Sequence, residues 1–124
     1  MIRGIRGAVC ASQNTKEAIY EATSRLLKAV MERNSLAQED IISILLTATP
    51  DLNADFPAYA IRGNGFKYVP VLCAAEIAVP GAMSSVIRML VHARTDRAQS
   101  EVRHVYLDAT ATLRPDLGEE SGEA

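Results

Sequence analysis

The sequence predicts an α/β (α+β) domain: a mixed β-sheet packed by helices, in the order β-α-β-α-β-β-β. Three observations predict it. The chain has 124 residues, 48% of them hydrophobic, so one domain can bury roughly two-thirds of its unfolded surface without disulfide or metal staples. One twenty-residue segment repeats its apolar residues every three or four positions. The other apolar runs are short, rich in β-branched residues and bounded by turn formers, as strands are.

The first element is IRGIRGAVC, residues 2–10. Read as a strand, it places Ile2, Gly4, Arg6, Ala8 and Cys10 on one face. Two arginines and two glycines are unusual for pure core, and Gly in a strand marks a bulge or a close approach of another backbone or a ligand. Asn14, three residues before Glu17, resembles a capping-box start. From Thr15 to Asn34, the residues Ile19, Ala22, Leu26 and Val30 form the apolar stripe of one helix of about five turns. Asn34 and Ser35 stop it. After a short turn at Gln38–Asp40, IISILLTAT (41–49) reads as a central strand buried on both faces.

Asp51, Asn53 and Asp55 are turn and cap formers, and Pro57 suits the first turn of a helix. That helix lasts to about Arg62, where Gly63-Asn64-Gly65 ends it. KYVPVLC (67–73) reads as a strand, and Pro70 puts it at an edge or a bulge. SVIRMLVHA (85–93) fits either helix or strand. Val86, Ile87 and Val91 favour strand, with Arg88 on the face of Val86 and Leu90. A last strand is expected at Val102–Leu107, then a turn or short helix to LRPDL. Positions 1–117 form the domain, and GEESGEA (118–124) is expected to be a mobile acidic tail.

Charge and composition exclude several function classes. The formal net charge is −2. Four of the fifteen acidic groups lie in the last ten residues, so positions 1–114 carry 13 basic residues against 11 acidic. That body lacks the basic stripe of a nucleic-acid binder. No stretch reaches eighteen apolar residues, so no membrane-spanning helix is expected. The arginines at positions 3 and 6 interrupt any signal-peptide core. A cytoplasmic protein is expected. Cys10 and Cys73 have no CxxC spacing and read as reduced, apolar-type residues. His92 and His104 carry no ligand pattern, so no metal is expected.

Ten of the thirteen basic residues are Arg, whose planar fork matches carboxylate or phosphate. GxSxG, P-loop, GxGxxG and HExxH motifs do not occur. What remains is a set of charges within apolar runs: Arg6, Glu76, Arg88 and, near the end, Arg114. A charge between β-branched neighbours is costly unless it is paired or faces a wet cleft. Each has a plain alternative. Arg88 can pair with Glu76 as a structural ion pair, Arg6 can lie on a solvated face, and Arg114 can be a surface residue. Tyr106 can be core, and Phe56 can staple the start of the helix after Pro57.

RGIRGA (3–8), LLTATPDLNADFPA (45–58), YVPVLCAAE (68–76), IRML (87–90), RHVYLDA (103–109) and LRPDL (113–117), in this order, resemble the AroH-type chorismate mutases. These are small monofunctional enzymes with a trimeric pseudo-α/β-barrel. The resemblance covers the chain to residue 117. It implies the rearrangement of chorismate to prephenate, in phenylalanine and tyrosine biosynthesis, without a cofactor. It further implies a homotrimer with active sites at subunit interfaces. By that resemblance Arg88 is the cation beside the ether oxygen and Glu76 accepts from the ring hydroxyl. Arg6 and Tyr106 bind a carboxylate. Leu72, Cys73, Ala74 and Ala75 line the pocket, with Cys73 near the hydroxyl. Phe56 supplies an apolar wall from the next subunit, Arg62 a rim charge, and Leu113 and Arg114 a segment that closes over the site. The chain departs from the family pattern at Tyr59, where some relatives have Lys, at Gly63-Asn64-Gly65, and at Leu72, where the residue is often polar. Two other readings fit a similar scaffold: a Rid-type imine deaminase, with its Arg in an intersubunit cleft, and a non-catalytic trimer that binds aromatic carboxylates.

Overall fold

A computed structural model describes residues 1–113. Strands β1 (Ile2–Cys10), β2 (Ile41–Ala48), β3 (Val71–Ala75), β4 (Val86–Arg94) and β5 (Val105–Tyr106) form one sheet in the order β3-β2-β4-β1-β5. Helix α1 (Lys16–Arg33) follows β1 and the short α2 (Ala58–Gly63) follows β2. β4 runs antiparallel to both β1 and β2, whereas β3 and β5 pair parallel to their neighbours. The sheet is therefore mixed, as expected. No helix among the described residues is long and apolar enough to cross a membrane.

The apolar stripe of α1, with Ile19, Ala22, Leu26, Leu27 and Val30 buried, lies on one face of the sheet against Ile5, Val9, Ile44, Leu46, Ile87, Met89 and Val91. Burial of these side chains is the main term that holds the domain together. Gly7 sets how closely the helix approaches, because a Cβ there would stand 2.9 Å from Leu26 Cδ1 and 3.2 Å from the Val105 carbonyl oxygen. The cap of α1 is Thr15, not Asn14: Thr15 Oγ1 accepts from the Ala18 N–H at 3.1 Å. Asn14 is drawn into a tertiary contact instead. Its Oδ1 accepts from the N–H groups of Asn53 and Ala54, both at 3.0 Å. At the other end the buried Asn34 stops the helix, donating to the carbonyls of Val30 and Arg103 and accepting from the Arg103 N–H.

Five expectations change or are settled in detail. β2 is internal but covered on one face only, and Leu45 stays 39% exposed, because α1 packs on the opposite side. β3 begins at Val71 rather than residue 67, since Pro70 has no N–H for the ladder. The Pro70 carbonyl still accepts from the Ile44 N–H, and β3 does lie at the sheet edge. β5 has only two residues, because Asn34 already engages the backbone of Arg103. Residues 86–94 are strand, paired on both sides. Gly63-Asn64-Gly65 is an anchored helix end. Asn64 Nδ2 donates to the Ala60 carbonyl and to Ser24 Oγ, and Gly65 takes the left-handed φ of +90° that favours glycine.

Candidate active site

Side chains alternate across a strand, so register decides what shares a face. On the face away from α1, one row crosses all five strands: Ala74, Thr47, Arg88, Ala8 and Tyr106. The next row holds Leu72, Leu45, Leu90 and Arg6. Arg6 and Arg88 are thus diagonal neighbours on adjacent strands. Together with Leu45, Thr47, Leu90 and Tyr106 they line a cavity of about 270 Å³.

Arg88 is half-buried, and its Nε donates to Glu76 Oε2 at 2.9 Å. Glu76 stands just past β3, held by its N–H on the Ala48 carbonyl, 2.9 Å. Thr47 Oγ1 donates to the same Glu76 oxygen at 2.7 Å. The ion pair read as one alternative in the sequence therefore forms. It leaves the two terminal NH2 groups of Arg88 without a partner among the described residues. Such a half-buried pair contributes little to stability by itself, but it directs two NH2 donors at the cavity side of the sheet.

Tyr106 is 1% exposed, and its hydroxyl has no hydrogen-bond partner among the described residues. A buried hydroxyl left unpaired costs about 1–3 kcal/mol, a cost that a ligand oxygen removes. Tyr106 is core, as its plain alternative had it, yet its side chain also lines the cavity. Arg6 is exposed, with its backbone N–H on His104 Nδ1 at 2.9 Å. Its guanidinium has no partner among the described residues.

A second cavity of about 430 Å³ is lined by Phe56, Asp55, Cys73, Ala74, Ala75 and Thr47, among others. Phe56 is not a staple. It is 61% exposed and meets Tyr59 edge-on, ring centroids 5.8 Å apart. The loop before it is pinned to α1: Asp55 accepts from the Tyr20 hydroxyl and, through Oδ1, from the Phe56 N–H at 2.7 Å. These bonds hold the Asp55 carboxyl below the usual carboxylate range. The same bond to Asp55 pushes the Tyr20 phenol up to about 12. Cys10 and Cys73 are free, half-buried thiols. Burial pushes the Cys73 thiol up, against a bond from the Ala58 N–H, so it is protonated and no nucleophile at neutral pH.

The raised phenol gives a pH-dependent expectation. A proton held more tightly in the folded state stabilises it fully below the unfolded value near 10, and that stabilisation is lost as pH rises through about 12. Tyr20→Phe should lower the thermal midpoint at pH 7, with the gap to wild type narrowing between pH 10 and 12. A gap that stayed constant across that range would show that the Tyr20–Asp55 bond does not act.

Arg6, Glu76, Arg88 and Tyr106 thus gather on one part of the open face, while Phe56, Cys73, Ala74 and Ala75 line the second cavity. Leu72 is 68% exposed on β3. Arg62, exposed on the last turn of α2, is among the lining of neither cavity. Leu113 is half-buried at the close of the 3-10 helix Asp108–Thr112, its N–H on the Thr110 carbonyl at 2.9 Å. Arg114 and the acidic tail lie outside the described residues. Thr47 is the residue that sequence reasoning missed. Its signal was a hydroxyl two residues after Leu45 on the same face of a mostly apolar strand that also carries Ser43.

Two guanidinium groups and a phenol around an apolar floor, next to a fixed carboxylate, suit a small organic anion with a hydroxyl. This α+β fold and site suit an enzyme that binds such an anion. The chain belongs to the chorismate mutase type I family, whose pattern matches residues 2–117. It is 47% identical over 118 residues to the chorismate mutase AroH of Bacillus subtilis (strain 168), covering 94% of this chain and 93% of that protein. It is 46% identical over 118 residues to the AroH protein of Thermus thermophilus, covering 94% and 97%. The solved chorismate mutase from Clostridium thermocellum superposes with a TM-score of 0.86 at 42% identity, covering 88% of this chain and 97% of that one.

Proposed function

We propose that this chain rearranges chorismate to prephenate at the Arg6–Arg88–Tyr106 cavity, and that it does so as a homotrimer. The reaction is unimolecular. The ether C–O bond breaks as the new C–C bond forms, with no proton transfer and no co-reactant. The protein must hold a flexible dianion in its compact, reactive conformer and stabilise charge as it separates. The ether oxygen gains negative charge in the transition state, so a cation fixed beside it acts more strongly there than in the ground state.

The pair of unpartnered NH2 donors on an Arg88 held in place by Glu76 carries this reading. Arg88 supplies the cation at the ether oxygen. Glu76 accepts from the ring hydroxyl and places negative charge near the part of the ring that becomes positive. Arg6, with its bidentate fork, and the buried Tyr106 hydroxyl take a carboxylate. Cys73, whose side chain is in register with Leu46 on the α1 face, serves the hydroxyl through its backbone, and Leu72, Ala74 and Ala75 complete the wall.

What one chain leaves open supports the trimer. Leu45, Leu72 and Leu90 form a continuous apolar row on the part of the sheet face that neither α1 nor the 3-10 helix at Asp108–Thr112 covers, with Leu45 and Leu72 exposed. Open apolar surface of this kind marks an interface. Cations line one cavity of the chain and the exposed Phe56 lines the other. Closing a three-fold ring brings the Phe56 edge of one subunit against the cationic cavity of the next. Phe56 then walls the pocket, Arg62 adds rim charge, and Leu113 closes over it.

The test is the loss of chorismate's ultraviolet absorption with purified protein, together with molar mass by light scattering. Turnover to prephenate by a particle of three chains is the expected result. A folded trimer that bound chorismate without consuming it would be a binding protein. A monomer with full activity would remove the shared-site arrangement.

A further inference from the structure

We propose that Thr47 is a positioning residue for this reaction: its hydroxyl holds the Glu76 carboxylate in the one orientation that leaves both NH2 groups of Arg88 for the substrate. The proposal rests on the roles of Glu76 and Arg88 given above.

Guanidinium and carboxylate groups tend to close into a bidentate pair with two parallel N–H···O bonds. Here the pair is monodentate. Only Arg88 Nε bonds to Glu76, on Oε2 at 2.9 Å. The same oxygen accepts from Thr47 Oγ1 at 2.7 Å. Two donors converge on Oε2, and Oε1 has none among the described residues.

Register explains why Thr47 can do this. It is paired directly with Arg88 on β4 and with Ala74 on β3, so its hydroxyl starts from the same row as the guanidinium stem, on the β3 side from which Glu76 arrives. The terminal torsion of a glutamate is broad and soft. Without the hydroxyl, one contact remains, and the carboxylate is free to turn until its second oxygen meets an Arg88 NH2 group. Such a closed pair is better for the two side chains and worse for the reaction. It removes one donor from the ether oxygen and the Oε1 acceptor from the ring hydroxyl.

The test compares Thr47→Val, which keeps the β-branched shape, with Thr47→Ser, which keeps the hydroxyl. In Thr47→Val, kcat should fall on the order of tenfold while KM moves less than about threefold, the pattern for lost transition-state alignment through one hydrogen bond to a charged group. Thr47→Ser should restore most of kcat. In a Glu76→Gln background, adding Thr47→Val should cost little more, because the group it positions has already been altered. Thermal midpoint and molar mass report whether each variant is folded and assembled, and Thr47→Ala replaces Thr47→Val if that variant does not fold.

Three results overturn the proposal while leaving the site assignment intact. They are wild-type kcat in Thr47→Val, a Thr47→Ser variant as impaired as Thr47→Val, and full multiplication of the Thr47→Val and Glu76→Gln losses. Absence of turnover in the wild-type protein instead overturns the assignment of Glu76 and Arg88, and this proposal with it.

Discussion

Arg88→Ala should lower kcat/KM by about 10²–10³-fold, equivalent to roughly 3–4 kcal/mol of barrier, the scale set by removing one donor from a developing oxyanion. Two effects add in this variant. The cation at the ether oxygen disappears, and Glu76 loses the charge that offsets it. Glu76 is mostly buried, its side chain 16% exposed, so an uncompensated carboxylate then repels an anionic substrate across a poorly screened distance. A neutral isostere of arginine that still donates hydrogen bonds separates charge from geometry. It should remain badly impaired, because the same donors without the charge cannot follow the charge that develops. The measurement is the initial rate of chorismate loss for both variants at matched molar mass. Near-wild-type turnover in the neutral isostere would show that positioning, not electrostatics, carries the rate.

Leu26→Ala should cost about 3–5 kcal/mol of folding stability, within the upper range for a buried leucine, out of a total of order 5–15 kcal/mol. The site argues for the upper range. Leu26 is fully buried in the middle of α1, and its Cδ1 packs over Gly7 at the distance that excludes a Cβ there. When the leucine is cut back, Gly7 has no side chain to move into the space, and β1 is fixed by its ladders to β4 and β5. The cavity therefore collapses poorly. Leu26→Met keeps the volume and should lose less than about 1.5 kcal/mol. Urea midpoints at one protein concentration check both, since the stability of an oligomer depends on concentration. Equal losses for Ala and Met would mean that shape at this contact, and not the void, governs the effect.

Much of this protein was legible in its residues. The 3.6-residue period of Ile19, Ala22, Leu26 and Val30 decided α1 and its buried side, and β-branched residues decided β2 and favoured strand for β4. Pro70 pointed to an edge or a bulge for β3, and the sheet order places it at the edge. The charged residues embedded in apolar runs, Arg6, Glu76 and Arg88, were visible as anomalies because such groups need a partner or a cleft. The ordered family motifs then gave them roles. Less legible were features that depend on a partner far away in the chain. Thr15 caps α1 because Asn14 is taken by the 53–54 backbone. Phe56 is exposed because Asp55 is tied to Tyr20. Thr47 gave only the weak signal of a hydroxyl in a mostly apolar strand that has a second one at Ser43.

The amino-acid order by itself determined α1 and its apolar side, most of the strands, and which charges are out of place. Near-neighbour sterics and the alternation of side chains act within a few residues, so these properties are local. Only the tertiary structure decided that Arg6, Arg88 and Tyr106 share one cavity, that Thr47 and Arg88 meet on one oxygen of Glu76, and that one sheet face stays open. Those facts depend on strand order and register, which hydrogen bonds between distant segments fix and which a shift of one residue would turn to the opposite face.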